Sequence, residues 1–185
     1  RDTENPTPLT LDMVSRVFNR SMKALYDQED VEYYFDLNYL AKFLFVDELT
    51  CNYELFHPKS TFCYARNVND SSTSLIFGPC WDYDWCFGGP ANYFVSNSVA
   101  NFWEKSDGAG RVWAKAIRYN PGSKFNKIYY RLWHNFVHND LDELVDFVED
   151  YYNFAKYSYS HDDTKWSKGD AEQYAQLKDK AKSWL

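Results

Sequence analysis

The sequence predicts an α+β fold, predominantly helical, with one small β-hairpin that carries the candidate site. Three observations lead there. Several segments repeat apolar residues at 3.6-residue spacing. One pair of short runs has period-two character and is joined by an Asn/Asp/Ser-rich turn. Hydrophobic residues make up 45% of the 185 residues and aromatic residues 20%, enough for a core of ordinary size in a single domain spanning 1–185.

The elements follow in order. Residues 1–10 are polar and proline-bearing and read as a lead-in. Thr10 caps a first helix, with Leu11, Val14, Phe18, Met22 and Leu25 as its packing stripe, to about Tyr26. An acidic linker follows at 27–32. Asp36 then caps a second helix through Leu37, Leu40, Ala41, Leu44 and Phe45 to about Leu49, apolar on more than one face and so central. Asp47 and Glu48 sit at its far end, where the helix dipole prefers cations, and invite a partner; a solvated pair, or one bonded to loop groups, explains them. A loop at 50–60 leads to strands at 61–66 and 74–77, the hairpin. After a loop-like stretch with a helical turn at 98–103, helices are expected at 111–118 and 124–137. Asp140 and Glu143 form a capping-box-like start for a helix at 141–157, with Leu144, Phe147, Val148 and Tyr151 inward. A polar loop at 158–169 precedes a last helix from about Asp170.

The stretch 74–89, SLIFGPCWDYDWCFGG, concentrates the chemistry. Leu75, Ile76 and Phe77 read as a buried strand ended by Gly78 and Pro79. Asp82 and Asp84 follow among aromatic residues. An unpaired buried carboxylate costs several kcal/mol, so each must face solvent, accept hydrogen bonds or bind a cation. On an extended segment the two aspartates share one face, and Trp81, Tyr83 and Trp85 share the other. The hairpin brings this segment beside the loop 52–60, so the two polar segments are expected to be neighbours.

Composition narrows the class. Sixteen Tyr and seven Trp reconcile a mean hydropathy of −0.63 with a folded core, because these side chains bury large surfaces while keeping a polar handle. A net charge of −7 and a pI near 5.1 speak against a nucleic-acid partner. No run approaches the roughly 18 apolar residues of a membrane helix. Cys51, Cys63, Cys80 and Cys86 match no zinc spacing and read as buried thiols, with disulfides open in an oxidising compartment. The many aromatic residues also raise carbohydrate binding, but at helical spacing they read as core.

The runs YFDLNYLAKFLFVDELTCNYE, HPKSTFCY and FGPCWDYDWCFGG, in that order and spacing, resemble the CotH family of spore-coat-type atypical protein kinases. The segment RVWAKAIRYNPGSKFNKIYYRLWHNF is similar to the helical part that follows in that family. The resemblance implies the C-terminal lobe of a protein-kinase-like fold and metal-dependent transfer of phosphate from ATP, with Mg²⁺ or Mn²⁺, to Ser or Thr of a protein. It implies that Asp82 holds the metal on the phosphates, with Asp84 assisting or bonding nearby backbone. The loop after the second helix becomes the catalytic loop, with Glu54 in place of the usual Asp, Asn52 as a metal ligand or acceptor-orienting group, Lys59 as a phosphate contact, and Ser60 in place of an Asn. His57 reads as structural.

The longer reach of Glu54, with Ser60, leaves an alternative: a catalytically inactive, kinase-like binding or envelope-assembly module. The family further implies a bacterial secreted or cell-envelope protein whose substrate is a coat or envelope protein. No Gly-rich loop or strand lysine precedes the first helix, and the chain starts at Arg1 rather than Met, so an upstream N-lobe is expected.

Overall fold

The computed structural model describes residues 8–27, 29, 31–50, 52, 60–65, 67, 73–83, 86, 122–166 and 171–185. The expected turn at 98–103 and helix at 111–118 lie outside these. The structure is predominantly helical with a two-stranded antiparallel sheet, and it divides into two compact units, Arg1–Leu132 and Trp133–Leu185. Among the described residues no helix is long and apolar enough to cross a membrane.

In the first unit, α1 spans Pro8–Asp27. It starts at Pro8, whose missing N–H suits the first helical turn, so Thr10 lies inside the helix rather than capping it. Its buried line is Val17, Ser21, Ala24 and Leu25, while Leu11, Val14 and Phe18 of the expected stripe are exposed. The largest apolar residues do not mark the buried side of α1, because the small side chains of Ser21 and Ala24 take it. The Ser21 hydroxyl is satisfied there by donating to the Val17 carbonyl at 2.7 Å.

A short helix, α2 at Val31–Tyr34, lies within the expected linker. Phe35 then bridges Leu75 in parallel, and the Asp36 N–H donates to the Leu75 carbonyl at 2.9 Å. Asp36 caps α3, Leu37–Thr50, as expected: its Oδ1 accepts from the N–H groups of Asn38 and Tyr39 at 3.2 and 3.3 Å. α3 buries Leu37, Leu40, Ala41, Phe43 and Leu44, which makes it the central helix of this unit.

The hairpin is β1, Cys63–Ala65, paired antiparallel with β2, Leu75–Phe77, in the register Cys63 to Phe77 and Ala65 to Leu75. All three β2 residues are buried, with Phe77 packed on Phe35 and Phe43 at ring centroids of 5.9 and 5.4 Å. Arg20 ties α1 to this sheet: it donates to the Thr73 carbonyl at 2.8 Å and lies over the Tyr34 ring. Contrary to the reading of the cysteines as buried, Cys80 is exposed just beyond the hairpin, where the chain has left the packed strand.

α4 spans Lys124–Asn135 and buries Phe125 and Tyr129, stacked at 6.0 Å. The expected break at Asp140 is absent. The chain continues through a π-helical turn, Phe136–Asp140, closed by the Leu141 N–H on the Phe136 carbonyl, into α5 at Leu141–Trp166. No Gly or Pro interrupts this stretch. His138 Nδ1–H and Asn139 Nδ2 donate to the carbonyls of His134 and Asn135, each at 2.8 Å, so their side chains reinforce the turn rather than end it.

In the second unit, α5 runs on to Trp166 through most of the expected polar loop. With no Gly or Pro before Gly169, the polar residues remain helical, and Tyr159 stacks on Tyr174 of α6, Ala171–Trp184, at 3.9 Å. Lys178 lies over Tyr152, and Glu149 pairs with Lys178 and Lys182. These pairings run in opposite directions along the two helices, so α5 and α6 are antiparallel. Val148 and Tyr151 of the expected face, with Tyr152 and Tyr159, line a groove with Tyr174, Leu177 and Lys178 of α6. Ala155 is buried, whereas Tyr151 keeps more than half its surface exposed and Phe147, expected inward, is exposed.

Candidate functional site

Two polar segments converge at the end of the hairpin. Asp82 lies five residues beyond β2, exposed, with φ +64°, a left-handed conformation that an aspartate adopts more readily than most residues. That angle interrupts the extended chain on which period-two facing depends. The expected division into an acidic and an aromatic face therefore fails at its centre: Trp81 is exposed beside Asp82 rather than packed. Tyr83 is half-buried, and Asp84 lies outside the described residues.

The Ser60 hydroxyl donates to Asp82 Oδ2 at 3.1 Å across 22 residues of sequence. The β1–β2 register makes this meeting possible. Ser60 precedes β1 and Asp82 follows β2, so both leave the hairpin at its open end, where the Gly78 N–H also donates to the Phe62 carbonyl at 3.0 Å. The expected closeness of the two polar segments is thus present through this pair. Glu54, Lys59 and His57 lie outside the described residues.

Asn52 is buried and fixed at two points on Asp47. Its backbone N–H donates to the Asp47 carbonyl at 2.9 Å, the 6→1 bond of a helix C-terminus, and its side-chain Nδ2 donates to Asp47 Oδ1 at 2.9 Å. The Tyr83 hydroxyl reaches the same Oδ1 at 2.9 Å from 36 residues away. Asp47 has no solvent exposure, and its Oδ2 has no hydrogen-bond partner among the described residues. The solvated alternative for Asp47 is therefore overturned, whereas bonding to loop groups is what the structure shows.

Burial pushes the Asp47 carboxyl up to about 7, against the opposing pull of the Asn52 and Tyr83 hydrogen bonds. The Tyr83 phenol is raised by its own burial and then by Asp47, so it stays a protonated donor. The sequence carried a signal for this arrangement. Asp47 stands at i+7 from Leu40 and i+3 from Leu44, on the stripe α3 buries. Nothing local singled out Tyr83, whose ring alone fitted a packing role.

Asp82 and Ser60 offer hard oxygen donors, the type that suits Mg²⁺ or Mn²⁺. No group of three or more His, Cys, Asp or Glu among the described residues converges into a metal cage. Mg²⁺ needs none, since it is commonly held by one or two carboxylates together with substrate phosphates. Asp82 and Ser60 fit that mode.

Beside the segment lies a groove of about 420 Å³ between α3 and the hairpin, lined by Phe43, Val46, Phe77 and Pro79 with Lys42 and Tyr39. Its lining includes neither Ser60 nor Asp82, so the groove and the polar site are separate features. Comparison with known protein families, with curated proteins and with solved structures finds no match to this chain.

Proposed function

We propose that the chain is the C-terminal-lobe part of an atypical, CotH-type protein kinase that transfers the terminal phosphate of ATP to Ser or Thr of a protein. The observation that carries the reading is the Ser60–Asp82 pair at the open end of the hairpin. It joins the end of the loop before the hairpin to the carboxylate after it, the two segments to which the kinase reading assigns the catalytic loop and the metal.

In this reading Asp82, with Ser60 beside it, would hold Mg²⁺ or Mn²⁺, which when bound neutralises phosphate charge. Asp84 would support Asp82. Glu54 would accept the proton of the attacking hydroxyl, and Lys59 would contact the phosphate as a point charge. Asn52 would set the course of the loop that carries them, since its side chain is held by Asp47. An upstream N-terminal lobe would cover the nucleotide, and the substrate would be a coat or envelope protein of a bacterial surface.

One observation favours the alternative of a non-catalytic binding or assembly module. Asn52 is buried with its amide nitrogen engaged on Asp47, which draws it away from a ligand role.

Calorimetric titration of Mn²⁺-ATP into the parent protein and its Asp82→Asn variant tests the proposal. Binding that is lost in the variant supports it. Absence of binding by the folded parent moves the reading to the scaffold, and transfer that survives Asp82→Asn refutes the assignment of Asp82.

A further inference from the structure

We propose that Asp47 is the positioning residue of this site, a buried latch that holds the loop before the hairpin and the segment after it to one oxygen atom. The assignment of what it positions rests on the function proposed above; the latch itself rests on geometry. Asp47 Oδ1 receives one donor from each polar segment: Asn52 Nδ2 at 2.9 Å and the Tyr83 hydroxyl at 2.9 Å. Asn52 opens the loop that leads to Ser60, and Tyr83 adjoins Asp82. Asp82, which receives the Ser60 hydroxyl at the surface, is thus the immediate chain neighbour of a residue held on the buried carboxylate, and Ser60 follows the other such residue, Asn52, by eight positions.

The chemistry of the position favours this role over a purely structural one. Asp47 continues the Leu40 and Leu44 stripe of α3 and is fully buried, so a leucine there would extend the core. A carboxylate bonded only by neutral donors, with its second oxygen unpartnered among the described residues, is a poor way to stabilise a helix end. What it supplies that leucine cannot is a single acceptor shared by two segments 31 residues apart, the separation of Asn52 from Tyr83. The backbone bond from Asn52 to the Asp47 carbonyl does not depend on the side chain, so removing the carboxylate leaves the end of α3 in place and frees mainly the Tyr83 side.

The test compares amide hydrogen exchange in the nucleotide-free 185-residue chain with that of Asp47→Leu, Asp47→Asn and Tyr83→Phe. The latch predicts at least tenfold faster exchange at Cys86, whose N–H donates to the Tyr83 carbonyl at 3.1 Å, in Asp47→Leu and in Tyr83→Phe, with α3 unchanged. In Asp47→Asn, which keeps an acceptor oxygen, exchange at Cys86 stays near that of the unmodified chain. Unchanged exchange at Cys86 in Tyr83→Phe overturns the proposal. So does uniformly faster exchange across α3 and β2 in Asp47→Leu without a local effect in Tyr83→Phe, because it marks a structural role only. Tyr83→Phe retains every buried apolar contact of the ring, so it decides the matter even if Asp47→Leu does not fold.

Mn²⁺-ATP affinity of the parent protein is the second readout, expected to fall at least tenfold in Asp47→Leu and to be kept in Asp47→Asn. If the unmodified parent binds no nucleotide, the kinase reading fails while the exchange result still decides the latch. If the parent binds nucleotide and Asp47→Leu binds it equally well, the positioning role is refuted and the kinase reading stands.

Discussion

Replacing Asp47 with Asn should change the way stability depends on pH, by an amount that follows from its burial. An isolated aspartate titrates near 3.8, and in the folded protein burial raises Asp47 to about 7. The folded state therefore binds the proton more tightly than the unfolded state. The contribution of Asp47 is most favourable below about pH 4 and is lost as pH rises towards the folded value.

At about 1.36 kcal/mol per pH unit, three units of difference correspond to roughly 4 kcal/mol between acid and about pH 8, of which about 2.5 kcal/mol falls between about pH 5 and 8. Asn carries no charge, so this slope vanishes in the variant. The new buried N–H lacks an acceptor and costs about 1–3 kcal/mol, but that cost is independent of pH. The variant is therefore expected to be at or below wild-type stability at about pH 5 and to gain on it by about 2.5 kcal/mol at about pH 8. Urea unfolding of both proteins across this range measures it, because all other titrating groups cancel in the difference. A difference that stays constant to within about 0.5 kcal/mol would show that Asp47 does not titrate in this window, and would refute the account of its burial.

Other expectations concern the two units separately. Leu40→Ala or Leu44→Ala removes a side chain with no exposure from the centre of the first unit and should cost about 2–5 kcal/mol in urea unfolding; a cost under about 1 kcal/mol would show that α3 is not central. Arg20→Met keeps the stem over Tyr34 but removes the bond to Thr73, with an expected loss of about 1.5–3 kcal/mol by the same assay, and an unchanged midpoint would sink the assignment. In the second unit, Lys182 and then Lys178 hold the Glu149 carboxyl below its usual 4.5. Its contribution is present above that value and is lost as pH falls through the lower folded one, so Glu149→Gln should flatten the acid side of the helical signal in circular dichroism. Identical acid limbs for the two proteins would count against the pairing. Tyr159→Ser removes the stack on Tyr174 and should release residues 158–166 into the loop their polarity suggests, read as fast amide exchange there; retained protection would mean the helix needs no such support.

The sequence by itself determined the predominantly helical class, the hairpin, the Asp36 cap of α3 and the start of the last helix near 171. Each of these is written in local terms: an apolar period, a turn composition, or a side chain that bonds an amide two or three residues on. Local terms were weaker where no residue forces a choice. The polar stretch 158–166 and the run through Asp140 contain no Gly or Pro, and helix simply continued through both. The inward faces of α1 and α5 are only partly legible for a related reason: Leu25 and Val148 turn inward, whereas Leu11, Val14, Phe18 and Phe147 are exposed. Periodicity identifies a helix, but which flank of it is buried depends on the neighbour it meets, and for α5 that neighbour is the Tyr174 to Lys182 side of α6.

The site itself belongs to tertiary structure. Ser60 with Asp82, and Tyr83 with Asp47, are separated by 22 and 36 residues, and only the hairpin register and the packing of α3 against β2 bring them within hydrogen-bond reach. The positive φ of Asp82 was equally invisible, because it breaks the alternation from which facing is inferred. The sequence could place two carboxylates among aromatic residues and demand partners for them. Asp82 meets its partner, Ser60, only in the folded chain, where one buried oxygen on α3 also receives Asn52 and Tyr83.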